Sequence, residues 1–300
     1  EAGGTQIAIA GQAGNDTLSL KGSFTQATVE GGTGVSSIII GTATSAIFTQ
    51  SSVYGGSDGD TLTINTGANV NSAFIAGAGS DSIVITAIGG GTVLGGASLS
   101  DTAAGNDTIA ITAATGGVID AGSGSNFITG AGAISAASVY SGSGNDTFNF
   151  GAGVIGGTAA RIASGAGDDS LYFGGNVSTT SNVINAGDGN DTVAFAALVS
   201  SASIVGGLGN DSFSFASATA YTQASAATGN VYFWSGGVDT LNFAGGTSLS
   251  NQVVEFAVQA GTFTSLTTTL SGTTVTVLGT TGSVNTTLGY ITGVSSSANV

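Results

Sequence analysis

The sequence predicts an all-β chain wound into a right-handed parallel β-helix, a β-roll-like solenoid of about eleven coils. Three observations carry this prediction. A unit clearest at Val183–Phe195, VINAGDGNDTVAF, returns as IAIAGQAGNDTLSL, SVYSGSGNDTFNF, RIASGAGDDSLYF and SIVGGLGNDSFSF. Its copies follow at one coil length, a period that marks stacked repeats rather than a globular core. Apolar residues alternate with period two on both sides of each glycine-rich corner, which is the pattern of one buried strand face.

With the Asp of each corner as marker, the series is Asp16, Ser36 (a replacement), Asp60, Asp81, Asp107, Asn126 (a replacement), Asp146, Asp169, Asp191, Asp211 and Asp239. Steps run from 19 to 28 residues, most near 21. The second and fourth residues after each Asp are apolar: Leu18 and Leu20, Leu62 and Ile64, Phe148 and Phe150, Val193 and Phe195, Leu241 and Phe243. Seven positions before it a further inward residue recurs, as Ile9, Val29, Val53, Phe74, Ile119, Val139, Ile162, Ile184 and Ile204. A looser third position follows about eight residues after the Asp, at Phe24, Ile134, Val154 and Val177. Each coil thus has two or three short strands. One coil buries too few side chains to offset the entropy of ordering its backbone, so coils must stack to fold.

Two corners depart from the pattern. The insertion ASLSDTAA, between Gly95 and Gly105, parts the two halves of one motif. FWSGGVDTLNF around Trp234 follows a longer irregular return, Ser217–Asn230, that carries Tyr221. Trp234 is expected to cover an irregular coil rather than to stack on a ligand. The solenoid is assigned to residues 1–245. From 246 to 300 Asp disappears and Thr dominates, as in TFTSLTTTLSGTTVTVLGTT, which reads as a β cap or the start of a flanking β domain.

Composition narrows the function. Two basic residues against 17 acidic ones, a net charge of −15, exclude nucleic acid as the natural partner and disfavour anionic membranes. No apolar run approaches the ~20 residues of a membrane span, and no N-terminal signal peptide is apparent. With no Cys there is no disulfide framework, and a start at Glu1 suggests a mature or excised piece. Cations are the expected companions.

The corner glycines are expected at positive φ, which only glycine reaches freely; the Asn before many of the Asp suits a left-handed turn as well. The plain alternative is a ligand-free corner in which Asp caps the turn. Stacking argues against it. At ~4.8 Å between coils, each pair of neighbouring carboxylates repels by about 0.9 kcal/mol even in water. Nine of the eleven corners keep the Asp, more acids (Asp58, Asp120, Asp168, Asp188) lie in or beside them, and Lys21 and Arg161 are the only basic residues. All-oxygen sites of carboxylates and turn carbonyls suit Ca²⁺. The expected ligands are Asp16, Asp60, Asp81, Asp107, Asp146, Asp169, Asp191, Asp211 and Asp239, with Asp58, Asp168 and Asp188 beside them. Gly14, Gly142, Gly144, Gly165, Gly167, Gly187, Gly189, Gly207 and Gly209 would shape the turns.

GGLGNDSFS (Gly206–Ser214) resembles the G-G-x-G-x-D-x-U-x nonapeptide of RTX proteins, calcium-binding parallel β-helices of secreted bacterial proteins. The resemblance spans about Ile7 to Phe243. It departs from the usual nine-residue repeat with ions on both edges, because one such corner occurs per ~21 residues. It therefore implies a single column of several Ca²⁺, weak or vacant at Ser36 and Asn126. The wide coil is similar to S-layer and large cell-surface proteins. That likeness implies an extracellular location, type I secretion, self-association into an array and a cell-surface polysaccharide as partner.

The leading expectation is a structural, calcium-stabilised surface module. The alternative is an ice- or glycan-binding adhesin segment. The row that would face ice is broken, reading Ala13, Thr33, Ser57, Ala78, Ser123, Ser143, Ala166, Asp188 and Leu208. An enzyme such as a polysaccharide lyase needs a base and charge-stabilising groups close together. With no His, and with Lys21 and Arg161 coils apart, no catalytic residue is assigned.

Overall fold

The computed structural model describes residues 6–41, 47–65, 68–99, 105–153, 155–156, 159–216, 231–234, 237–247, 253–256, 265–271, 274–281 and 284–294. Val154, Asp101, residues 217–230 and the side chains of Trp234 and Phe243 lie outside the described parts.

Every regular element described is a strand, and the strands stack as a parallel β-solenoid. One face is a twelve-stranded parallel sheet running in coil order from Ala8–Ala10 to Val253–Phe256. Its strands lead into the glycine corners. After the corner the chain enters a second parallel sheet, whose register is that of the sequence repeat: Phe148 pairs with Leu171, Leu171 with Val193, Val193 with Phe213 and Phe213 with Leu241. Short third strands, such as Phe24–Thr25, Ile47–Thr49 and Ala68–Val70, close the coil in several turns.

The alternation puts the expected residues inside. Val29, Val53, Phe74, Ile119, Val139, Ile162, Ile184 and Ile204 line the first face and are buried, as are Phe24, Ile134 and Val177 on the third. Ile9, in the first described coil, is only partly covered. The second face carries an aromatic ladder. Phe150, Phe173, Phe195 and Phe215 stack at ring-centroid separations of 5.6, 5.1 and 4.9 Å. In-register stacking brings like side chains together, and offset rings hold one another beyond simple burial. At Gly130 the column has no side chain, and a Cβ there would lie 2.5 Å from the Phe150 ring.

The insertion hid the first-face strand of one coil from sequence reading. Val93 stands on the first face between Phe74 and Ile119, fully buried, although its distance from Asp107 breaks the spacing. Gly95 and Gly105, on either side of the insertion, both keep register with neighbouring coils.

The Thr-rich segment is built differently. Ser265–Ser271, Thr274–Thr281 and Val284–Val294 form an antiparallel meander, and the last of these strands adds in parallel to Asp239–Thr247. Solenoid stacking also runs past residue 245, since Val253–Phe256 pairs in parallel with Val231–Trp234.

Candidate metal centre

The named corner glycines adopt the conformation expected of them. Gly14, Gly142, Gly144, Gly165, Gly167, Gly187, Gly189, Gly207 and Gly209 have φ between +87° and +137°. Stacking adds a second demand. A Cβ on any of these except Gly14 would fall 1.7–2.4 Å from the carbonyl oxygen of the glycine one coil earlier. The corner is stacked too closely for a side chain.

The nine expected Asp form one column, and all but terminal Asp16 are at most 3 % exposed. One oxygen of each from Asp60 onward is already used. The backbone N–H of Asp60 donates to Asp81 Oδ1, that of Asp81 to Asp107 and that of Asp146 to Asp169. The series continues through Asp191 and Asp211 to Asp239. Ser36 donates likewise to Asp60, and Asn126 both accepts from Asp107 and donates to Asp146. These nine bonds span 2.5–2.9 Å. The capping reading thus holds for Oδ1, with the cap reaching the neighbouring coil instead of its own turn.

Oδ2 is another matter. In Asp16, Asp60, Asp81, Asp146, Asp169, Asp191 and Asp211 this atom is buried without a hydrogen-bond partner. A buried carboxylate oxygen left unpaired is costly. Burial pushes the carboxyls up, to about 7 at Asp81, Asp146, Asp191 and Asp239 and about 6 at Asp107 and Asp211. Backbone donors from the neighbouring coil oppose that rise, and facing carboxylates add to it at Asp81, Asp146, Asp191 and Asp239. Asp60 and Asp169 are raised too, again by burial first.

Asn126 reveals what lies opposite that atom. Its Nδ2 donates to the carbonyls of Gly122, Gly124 and Ser141, at 3.1, 3.1 and 3.2 Å. In-register stacking carries the same three positions to the Asp coils, for instance as Gly142, Gly144 and Ser164 around Asp146. There an acceptor-only carboxylate replaces the donating amide. Ser36, the other replacement, also donates, from Oγ to the Gly34 carbonyl at 3.4 Å. At the seven Asp whose Oδ2 has no partner, oxygen faces oxygen, and a proton or a shared cation would reconcile them.

The donor set is one carboxylate oxygen with backbone carbonyls, hard ligands suited to Ca²⁺. The residue five before the Asp, or twelve before it at Gly95 where the insertion intervenes, helps to keep this space open. A Cβ at Gly11, Gly55 or Gly95 would come within 2.3–2.7 Å of both the Asp Oδ2 and the next coil's carbonyl oxygen. Glycine is not obligatory there. Ser141 and Ser164 hold the position in two coils, where each hydroxyl is within hydrogen-bond distance of the next coil's carbonyl, that of Ser164 or Ala186, and also lowers the carboxyl of its own coil's Asp, Asp146 or Asp169. No group of three or more acidic side chains placed to hold a metal occurs among the described residues, so any site there would draw on backbone carbonyls as well as carboxylates.

The additional acids stand apart from this column. Asp58, Asp168 and Asp188 are on the exposed rim. Asp58 Oδ2 accepts from the Gly34 N–H at 2.8 Å, and Asp168 Oδ1 from the Asn190 N–H at 2.7 Å. Asp120 is buried and accepts from the Gly122 N–H two residues on. Lys21 and Arg161 are both exposed.

The residue before the Asp does something sequence reading did not assign. Asn15, Asn106, Asn145, Asn190 and Asn210 are absent from the non-glycine residues at positive φ, which overturns the left-handed expectation. Instead, their side-chain oxygens accept backbone N–H groups of the following coil. The bonds reach Val35, Ser125, Asp168, Asn210 and Val238 at 2.7–3.1 Å. This outer ladder runs opposite to the inner one: inner bonds donate toward the later coil and outer bonds toward the earlier. A recurring Asn beside a recurring Asp was the only sequence signal of it.

Fold and site together define a parallel β-solenoid with a buried carboxylate column on its glycine corners. No protein-family model matches the chain, and no curated protein matches it.

Proposed function

We propose that this chain is a calcium-stabilised structural module of a bacterial surface-layer or other secreted cell-surface protein. The observation that carries the metal part is the row of seven buried, unpartnered Oδ2 atoms, opposite carbonyls that Asn126 satisfies with an amide. A row of Ca²⁺ ions would supply the missing positive charge, with the Asp carboxylates and corner carbonyls as ligands. The bound ions would neutralise the mutual repulsion of the column and tie each coil to the next. Because the ligands come from stacked coils, binding free energy becomes folding free energy. Such a chain stays loose where Ca²⁺ is scarce and folds where it is plentiful, which suits a protein exported unfolded. The surface-layer and secretion parts rest on the RTX resemblance and the acidic, lysine-poor composition.

Calorimetric titration with Ca²⁺, with Mg²⁺ as control, tests the metal. Several Ca²⁺ bound per chain with a rise in melting temperature is expected. A chain that binds none, and melts alike with and without chelator, overturns the reading. Electron microscopy of the calcium-loaded protein tests assembly: ordered arrays support a surface layer, and dispersed monomers at high concentration count against it.

A further inference from the structure

We propose that Asn126 is a built-in substitute for the cation, so that its coil closes without metal and divides the column into two separate ion rows. This rests on the calcium reading above and specifies it.

At this corner both polar atoms of the side chain are paired. Asn126 is 2 % exposed. Its Oδ1 accepts the Asp107 N–H at 2.9 Å, as an Asp would, and its own N–H donates to Asp146 Oδ1 at 2.7 Å. Its Nδ2 reaches three carbonyls, two from its own turn and one from the next coil. Those are the contacts for which an Asp corner requires a cation. An amide nitrogen there excludes an ion on two grounds: it fills the space between the carbonyls, and it points its protons where the ion's charge would sit. Asp16, Asp60, Asp81 and Asp107 lie on one side of this coil, with Ser36 after Asp16, and Asp146, Asp169, Asp191, Asp211 and Asp239 on the other.

The same coil carries Gly130 in the position that Phe150, Phe173 and Phe195 hold in later coils. It thus lacks its own ring in the aromatic column, where the Phe150 ring leaves no room for a side chain, while its Asn126 is fully paired. Ser36 cannot do the same work, because its short hydroxyl reaches one carbonyl only, at 3.4 Å.

The test swaps the two residues in both directions in the 1–300 chain. Bound Ca²⁺ is counted by elemental analysis after gel filtration, and melting is followed in Ca²⁺ and in EDTA. Asn126→Asp is expected to bind one more Ca²⁺ per chain than wild type and to melt lower in EDTA. Asp146→Asn is expected to bind one fewer and to melt higher in EDTA, because it gains the amide's donors. An unchanged ion count in both variants, with wild type binding several, overturns the role of Asn126 and leaves the calcium column standing. Wild type binding no Ca²⁺ overturns the column itself. If Asn126→Asp fails to fold, the Asp146→Asn count decides alone: one ion fewer with a higher EDTA melting point supports the substitute, and a lower melting point in EDTA refutes it.

Discussion

Without metal, this solenoid should be folded near pH 5 and lose its fold as the pH rises to 8. Four buried carboxyls are pushed up to about 7 and two to about 6, from 3.8 in an unfolded chain. Their folded values lie above the unfolded one, so between about pH 4 and 7 the native chain holds protons that the unfolded chain has released. Stability therefore falls with rising pH across that window and levels off above it. A shift of about three units is worth about 4 kcal/mol per group, at about 1.4 kcal/mol per unit. Three or four such groups ionising together rival the whole stability of a typical domain, about 5–15 kcal/mol. The coils should come apart before every carboxyl has ionised. Circular dichroism and calorimetry in EDTA at pH 5, 6, 7 and 8 would follow the loss of β-structure. Adding Ca²⁺ at pH 8 should restore it, because the ion favours the charged carboxylates. Equal melting temperatures at pH 5 and pH 8 in EDTA would refute the reasoning, for they would mean that the column is not desolvated.

Four substitutions separate the forces in the coil. Gly187→Ala puts a Cβ 1.9 Å from the Gly165 carbonyl at φ +106°, whereas Gly14→Ala meets open space at φ +117°. Both carry backbone strain of about 1–2 kcal/mol, and only the first should also wedge coils apart, seen as a clearly larger drop in melting temperature. Phe195→Ala removes the middle ring of the 5.1 and 4.9 Å stacks and should cost about 3–5 kcal/mol in denaturant unfolding. Asn190→Ala removes the acceptor for the Asn210 N–H on the exposed ladder. It should cost about 0.5–1.5 kcal/mol and leave the Ca²⁺ count unchanged; a lost ion would place the outer ladder in the metal site.

Much of this architecture was legible because a stacked repeat converts spacing directly into contact. The alternation around each Asp named the core strands, and positive φ at the corner glycines follows from residue type alone. Reading failed where an insertion broke the count, so that Val93 went unplaced. It also failed where one residue type serves two purposes. Asn before Asp suggested a left-handed turn, but its side-chain oxygen instead bonds the following coil. Asp58 and Asp168 looked like members of the acidic column because they are its neighbours in sequence. A step of one or two residues along a corner moves the side chain from the buried column to the rim, and spacing could not show that.

The sequence by itself determined a solenoid with a recurring acidic residue at its glycine corners. Only the tertiary structure decided how each carboxylate is divided, because hydrogen-bond partners from other coils exist only once the coils stack. Oδ1 is spent on the neighbouring coil's N–H, and Oδ2 is left facing carbonyls. The structure also gave Asn126 its meaning. In sequence it is one missing charge in a row; in the stack its amide occupies the place that a cation would otherwise fill.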